Sequence, residues 1–167
     1  MTIHPEHPFE TPLADRSEVR RWRGRLAAPV TVVAAGSGSK RAGLTVSSIQ
    51  LVEGERDHVV MWLDPESDLA ESLSVGASLT ITQLAKGDEF TAEAFAGLAP
   101  APGGPFQLND WTDGKWGPEL PHRSMLGASV TSIASLGWFT QVTAVIEKVT
   151  VVELAALTHL RGRFVTY

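Results

Sequence analysis

No cysteine occurs among the 167 residues, so disulfides, thiolate metal sites and cysteine nucleophiles are excluded together. No apolar run is long enough to span a bilayer, and the first residues lack the basic-then-apolar pattern of a signal peptide. The expectation is a cytoplasmic protein with no membrane association. Positive charge is also in deficit: 14 Lys and Arg stand against 19 Asp and Glu, for a formal charge of -5. A binder of the phosphate backbone normally carries a basic face, so nucleic acid is not expected as a partner. His4, His7, His58, His122 and His159 lie far apart with no H-x-x-x-H spacing, and no metal site is expected.

Two nucleotide motifs are also missing, although fragments of each are present. Gly36-Ser37-Gly38 begins like a dinucleotide fingerprint, but the third glycine is out of register and strand-forming residues follow where a helix is required. Gly38 to Gly43 imitates the start of a phosphate loop, yet Leu44 stands where that motif needs lysine.

What remains has ordinary globular composition, 43% hydrophobic and 20% charged, and a length suited to one domain spanning 1–167. Residues 1–14 read as an irregular arm rich in Pro, His and Glu. Asp15 and Glu18 have capping-box spacing before an arginine-dense helix over Ser17 to Leu26, which Pro29 ends. Val, Ile and Thr then gather at Val30–Ala35, Leu44–Val52, Val59–Leu63, Leu79–Leu84, Ser124–Ala134 and Trp138–Val152, with Gly-rich turns between them. The pattern is mainly β and fits an antiparallel barrel better than a doubly wound sheet. Two short helices interrupt it. One is expected from an Asp64 cap with Pro65 at the first position through Val75, the other from Asp88 to Leu98.

Residues 99–123 form a long Pro- and Gly-punctuated loop holding Trp111 and Trp116, of a length typical of a lid or binding loop. Its tryptophans, like Trp138, suit either stacking on a flat ligand or filling the core. His122 and Arg123, just beyond it, suit either a donor phosphate or an ordinary surface.

The stretch with the most chemistry is Gly43-Leu44-Thr45-Val46-Ser47-Ser48, reached through Lys40-Arg41. Hydroxyls and backbone N–H groups beside two cations suit a bound phosphate. The chain offers no nucleophile–base pair, which points to cofactor binding. Taken in order, Pro29–Ala34, Arg41–Ser48, Trp62-Leu63-Asp64-Pro65-Glu66-Ser67 and Phe95-Ala96-Gly97 resemble the flavin reductase-like family of FMN-binding split barrels. Leu160-Arg161-Gly162-Arg163-Phe164 is similar to that family's terminal strand.

The resemblance implies an antiparallel split β-barrel in which Thr45, Val46, Ser47 and Ser48 line the flavin and its phosphate arm. Leu63, Asp64 and Ser67 would form the second wall, with Lys40 or Arg41 offsetting the negative charge of Glu66 and Asp68. It further implies FMN as cofactor, with FAD as the alternative, NAD(P)H as hydride donor, a homodimer with flavin near the interface, and a monooxygenase as candidate partner. Three places depart from the family pattern. Leu136-Gly137-Trp138-Phe139 replaces the Gly-Asp-His associated with the nicotinamide donor, Thr82 replaces an asparagine, and Glu53-Gly54-Glu55-Arg56 replaces Pro-Pro. The alternative readings are a flavin-binding module without turnover and a split barrel that uses a deazaflavin or haem.

Overall fold

The computed structural model describes residues 17–166, so the expected N-terminal arm and Asp15 lie outside the described residues. The first helix, α1 (Glu18–Arg23), is shorter than expected and is capped by Ser17, whose hydroxyl accepts the Arg20 N–H at 3.2 Å. Gly24 ends it, well before Pro29, which instead lies in the short strand β1 (Ala28–Pro29). No helix among the described residues is long and apolar enough to cross a membrane.

The central strands follow as β2 (Thr31–Ala35), β3 (Ala42–Val46), β4 (Ile49–Val52) and β5 (His58–Leu63). After the helix α2 (Asp68–Ser72) come β6 (Ser78–Gln83) and α3 (Glu89–Phe95). The expected loop carries a small ribbon, β7 (Thr112–Asp113) with β8 (Pro118–Glu119), and leads to the long hairpin β9 (Met125–Leu136) and β10 (Phe139–Thr150). The chain closes with β11 (Leu157–Leu160) and β12 (Arg163–Thr166). These two form a hairpin rather than one terminal strand, because Arg161 and Gly162 both have positive φ, 52° and 78°, as a two-residue type I′ connection requires.

Seven strands make one antiparallel sheet in the order β3-β2-β6-β9-β10-β5-β4. Its two edges, β3 and β4, are consecutive in the chain. The residues expected as one strand, Leu44–Val52, therefore turn a corner at Ser47-Ser48 and join opposite edges of the sheet. The Trp62 N–H donates to the Ser48 carbonyl at 3.1 Å, which pins that corner to β5 and curls the sheet into a half-barrel.

Alternation along each strand sets the inner core. Val59, Met61 and Leu63 of β5, Ile81 of β6, Val130 of β9 and Val142 of β10 point inward, and Leu69 and Leu73 of the α2 segment join them. β2 is buried along its whole length because its other face is covered too. There Val32 and Ala34 meet Ala92 and Phe95 of α3, Trp111 and Leu120 of the loop, and Leu157 of β11. The 99–123 segment is thus a packed cover, and Trp111 is core filling. Its ring meets Phe95 and Phe106 edge-on, each at 5.4 Å between centroids.

Candidate functional site

The Ser47-Ser48 corner forms because β3 runs out of partners at Val46, whose carbonyl accepts the Thr31 hydroxyl at 2.6 Å, while Ser48 is already held by β5. Both serines are half-buried, and neither hydroxyl makes a hydrogen bond to the described residues. Two donors are therefore left open on one bend. The register places Leu63 and Asp64 beside them, since the Ser48–Trp62 contact continues the pairing of β4 with β5.

The Asp64–Ser67 segment is a turn rather than the start of a helix. The Asp64 carboxylate accepts the Glu66 N–H at 3.0 Å, and its carbonyl accepts the Ser67 hydroxyl at 2.7 Å. Ser67 is the true cap of α2, accepting the Ala70 N–H at 3.2 Å. The sequence imitates a cap at Asp64-Pro65 because the same side chain that caps helices also closes such turns. Glu66 and Asp68 are exposed, so their charges face water.

The nine residues marked in the sequence thus divide into three sets. Val46, Ser47, Ser48, Leu63, Asp64 and Ser67 come together around the corner. Lys40 and Arg41 stand at the other end of β3, about 20 Å from Ser47 at the usual rise per residue. Arg41 is already engaged there: its Nε donates to Asp113 at 2.7 Å, and a further N–H reaches the Trp111 carbonyl at 3.4 Å. Asp113 also accepts the Gly38 N–H at 2.9 Å. The Arg41 hydrogen bond, with that of Gly38, holds the Asp113 carboxyl below the usual carboxylate range. Thr45 faces outward, opposite Val32, and donates its hydroxyl to the Ala92 carbonyl at 2.7 Å, so that it anchors α3.

Residues around the corner that the sequence did not mark come from the far side of the fold. Thr140 lies opposite Leu63, and Gln141 opposite Trp62. Only the register of β10 reveals them, because nearly eighty positions of chain separate the pairs. A cleft of about 440 Å3 lies elsewhere, lined by Leu108–Asp110 and Leu120–Arg123. In it Arg123 is committed to Asp88, with Nε donating to Oδ2 at 2.7 Å and a second N–H donating to Oδ1 at 2.8 Å. Of the other tryptophans, Trp116 lies over Gly127 and donates its Nε1–H to Glu147 at 2.8 Å, while Trp138 is 82% exposed at the β9–β10 turn. Among the described residues no cluster of His, Asp or Glu could hold a metal ion.

Comparison with known proteins bears directly on this arrangement. Residues 23–167 match the family model of the flavin reductase like domain. The NADH:FAD oxidoreductase of Streptomyces globisporus superposes with a TM-score of 0.80 at 23% identity, covering 94% of this chain and 95% of that one. The styrene monooxygenase flavin reductase of Pseudomonas putida gives 0.78 at 18% identity, covering 90% and 97%. A flavin reductase domain protein from Arthrobacter gives 0.78 at 16%, covering 89% and 93%. No curated protein sequence matches the chain. The structural likenesses establish the curled antiparallel sheet as a shared fold, and the match along residues 23–167 establishes descent: the chain belongs to the flavin reductase like domain family.

Proposed function

We propose that the protein is a flavin reductase whose Ser47-Ser48 corner grips the phosphate arm of FMN, with FAD as the alternative flavin. One observation carries this reading: two adjacent half-buried hydroxyls stand without hydrogen-bond partners among the described residues, at the bend that joins the sheet's two edges. Such donors suit phosphate oxygens. When bound, flavin supplies a hydride acceptor, and the surrounding protein holds the ring and limits water.

The chain's own residues then have distinct tasks. Ser47 and Ser48 donate to the phosphate. Leu63 and Val46 are buried, and they fix the backbone from which the two walls of the groove rise. Ser67 positions the second wall by holding the Asp64 turn, and Thr45 positions α3. Lys40 and Arg41 are not part of the phosphate contact, since one strand length separates them from the corner.

NAD(P)H is the donor in this reading. The Streptomyces relative is also known with NAD and FAD fragments, which makes FAD the first alternative to test. The Pseudomonas relative is the reductase of a monooxygenase, and a partner of that kind fits an enzyme that releases reduced flavin. A homodimer completes the proposal. A second reading, a flavin-binding module without turnover, is favoured by one feature: the β9–β10 turn carries Trp138 and Phe139 and no histidine.

An anaerobic titration separates the two. Protein loaded with FMN or FAD is mixed with NADH or NADPH, and loss of the oxidised flavin band is followed. Bleaching by either donor supports the reductase. A flavin band that persists with both donors leaves only the binding module, and an absorption spectrum of deazaflavin or haem removes both.

A further inference from the structure

Two distant stretches of the chain bring their arginines to one place. Residues 17–29 carry Arg20, Arg21, Arg23 and Arg25 against a single acid, Glu18, and residues 157–166 carry Arg161 and Arg163 against none. The fold joins them: β1 pairs with β11, with Ala28 opposite His159, and the Arg161 N–H at the β11–β12 turn donates to the Gly24 carbonyl at 2.8 Å. The two stretches together are net +5, in a chain whose total is -5. No lysine belongs to this patch, since Lys40, Lys86, Lys115 and Lys148 all lie outside it in the chain.

Two features set the patch apart from ordinary solvated surface. Arg41 and Arg123 each hold a carboxylate, whereas Arg21, Arg23, Arg25, Arg161 and Arg163 form no ion pair among the described residues. Apolar side chains also stand among the arginines: Val19, Trp22 and Leu26 are exposed by 79%, 65% and 51%. Their spacing of three and four sets them on one face of α1 and the turn that continues it, where the Leu26 N–H donates to the Arg23 carbonyl at 3.0 Å. α2 buries Leu69 and α3 buries Phe95, but α1 buries no side chain. With 6 residues it is far below the length of about 12–15 at which an isolated helix begins to hold in water, so packing on this face would stabilise it.

We propose that α1 and the β11–β12 turn form a docking surface for a partner protein that presents carboxylates around an apolar spot. Charge complementarity selects the acidic partner, and a guanidinium fork matches a carboxylate in two hydrogen bonds. Composition selects a protein: arginine and tryptophan are enriched where proteins meet and lysine is depleted there, which is the make-up of this patch. Nucleic acid would leave Val19 and Leu26 without a use. An anionic membrane gains from buried apolar area, of which three side chains supply little, and it repels the acidic remainder of the chain. A second copy placed about a two-fold axis would set arginine against arginine.

The test uses the full chain, immobilised, and a phage-displayed library of short random peptides as the probe. Selected peptides should be rich in Asp and Glu with leucine or aromatic residues among them. Their affinity should fall at least about tenfold in Arg21→Glu/Arg23→Glu, in Arg161→Glu/Arg163→Glu and in Trp22→Ala, each with unchanged circular dichroism. Lys148→Glu, which alters charge in the other sheet, should bind nearly as well as the wild type. Peptides without acidic enrichment overturn the proposal, as do acidic peptides that bind the folded arginine variants as tightly as the wild type. Tighter binding to phosphatidylserine vesicles than to the best peptide also overturns it and assigns the patch to a membrane. A drop in mass of either arginine variant in light scattering overturns it in favour of a second copy. Flavin affinity should be equal throughout; a fall in a folded arginine variant would place the patch at the cofactor instead of at a partner.

Discussion

At Gly43 a side chain has no room. A Cβ there would stand 2.7 Å from Cε1 of Phe95 and 2.9 Å from Cζ of Phe106, two rings that meet edge-on at 4.8 Å between centroids. The glycine lets α3 and the loop press against β3, one position before the residues that lead into the corner. Gly43→Ala is expected to destabilise the fold by about 1–3 kcal/mol, as overpacked cores do, visible as a lower midpoint in urea unfolding. An unchanged midpoint would mean that the two rings move aside freely. His159 gives a pH-dependent counterpart. Burial against the β12 hairpin, where its ring lies 5.7 Å from Phe164, holds its pKa below the ordinary 6.5. Folding favours the neutral ring, so the unfolded chain takes up the proton more readily. The stability this confers is full above the ordinary pKa and declines as pH falls below it towards the folded value. Thermal midpoints measured from pH 7.5 to pH 5 should fall in the wild type and fall less in His159→Phe; parallel curves would assign the pH dependence to other groups.

At the scale of elements, what the sequence reveals follows how local each cause is. β2, β5 and β6 are legible because β-branched runs and alternation are local properties. The corner at Ser47-Ser48 is not, since neither glycine nor proline marks it and the bend is imposed by two sheet edges that meet only in three dimensions. The same holds for the position of α3. Asp88 stands at its N-terminus, yet its carboxylate turns away from the helix to accept the Ala85 N–H at 2.8 Å and two N–H groups of Arg123. The Arg41–Asp113 pair, 72 positions apart, engages Arg41 at the far end of β3 from the corner for an equally nonlocal reason. Asp88 is 4% exposed, so Arg123→Leu leaves a buried carboxylate without its cation and should cost about 3–5 kcal/mol. The check is chemical denaturation beside Asp88→Asn/Arg123→Leu, which should recover part of that loss. Equal losses in the two variants would show that the charge left behind is not what destabilises.

For the molecule as a whole, the half-barrel has an asymmetric surface that divides its work. α3 and the 99–123 segment seal the outward side of β2, while the outward side of β5 and β10 stays open beside the serine corner. Of the candidate site, the order of motifs anticipates the six residues that the fold gathers around the corner, while Lys40 and Arg41, grouped with them for their charge, stand one strand length away because β3 is extended. The central claim is that the Ser47 and Ser48 hydroxyls hold a flavin phosphate, and it is tested most directly by comparing FMN with riboflavin, which lacks that group. Fluorescence titration of both ligands should show wild-type protein preferring FMN. Ser47→Ala/Ser48→Ala should weaken FMN by about 1–3 kcal/mol per hydrogen bond to the charged group, and leave riboflavin nearly unaffected. Equal FMN affinity in wild type and double variant would contradict the account.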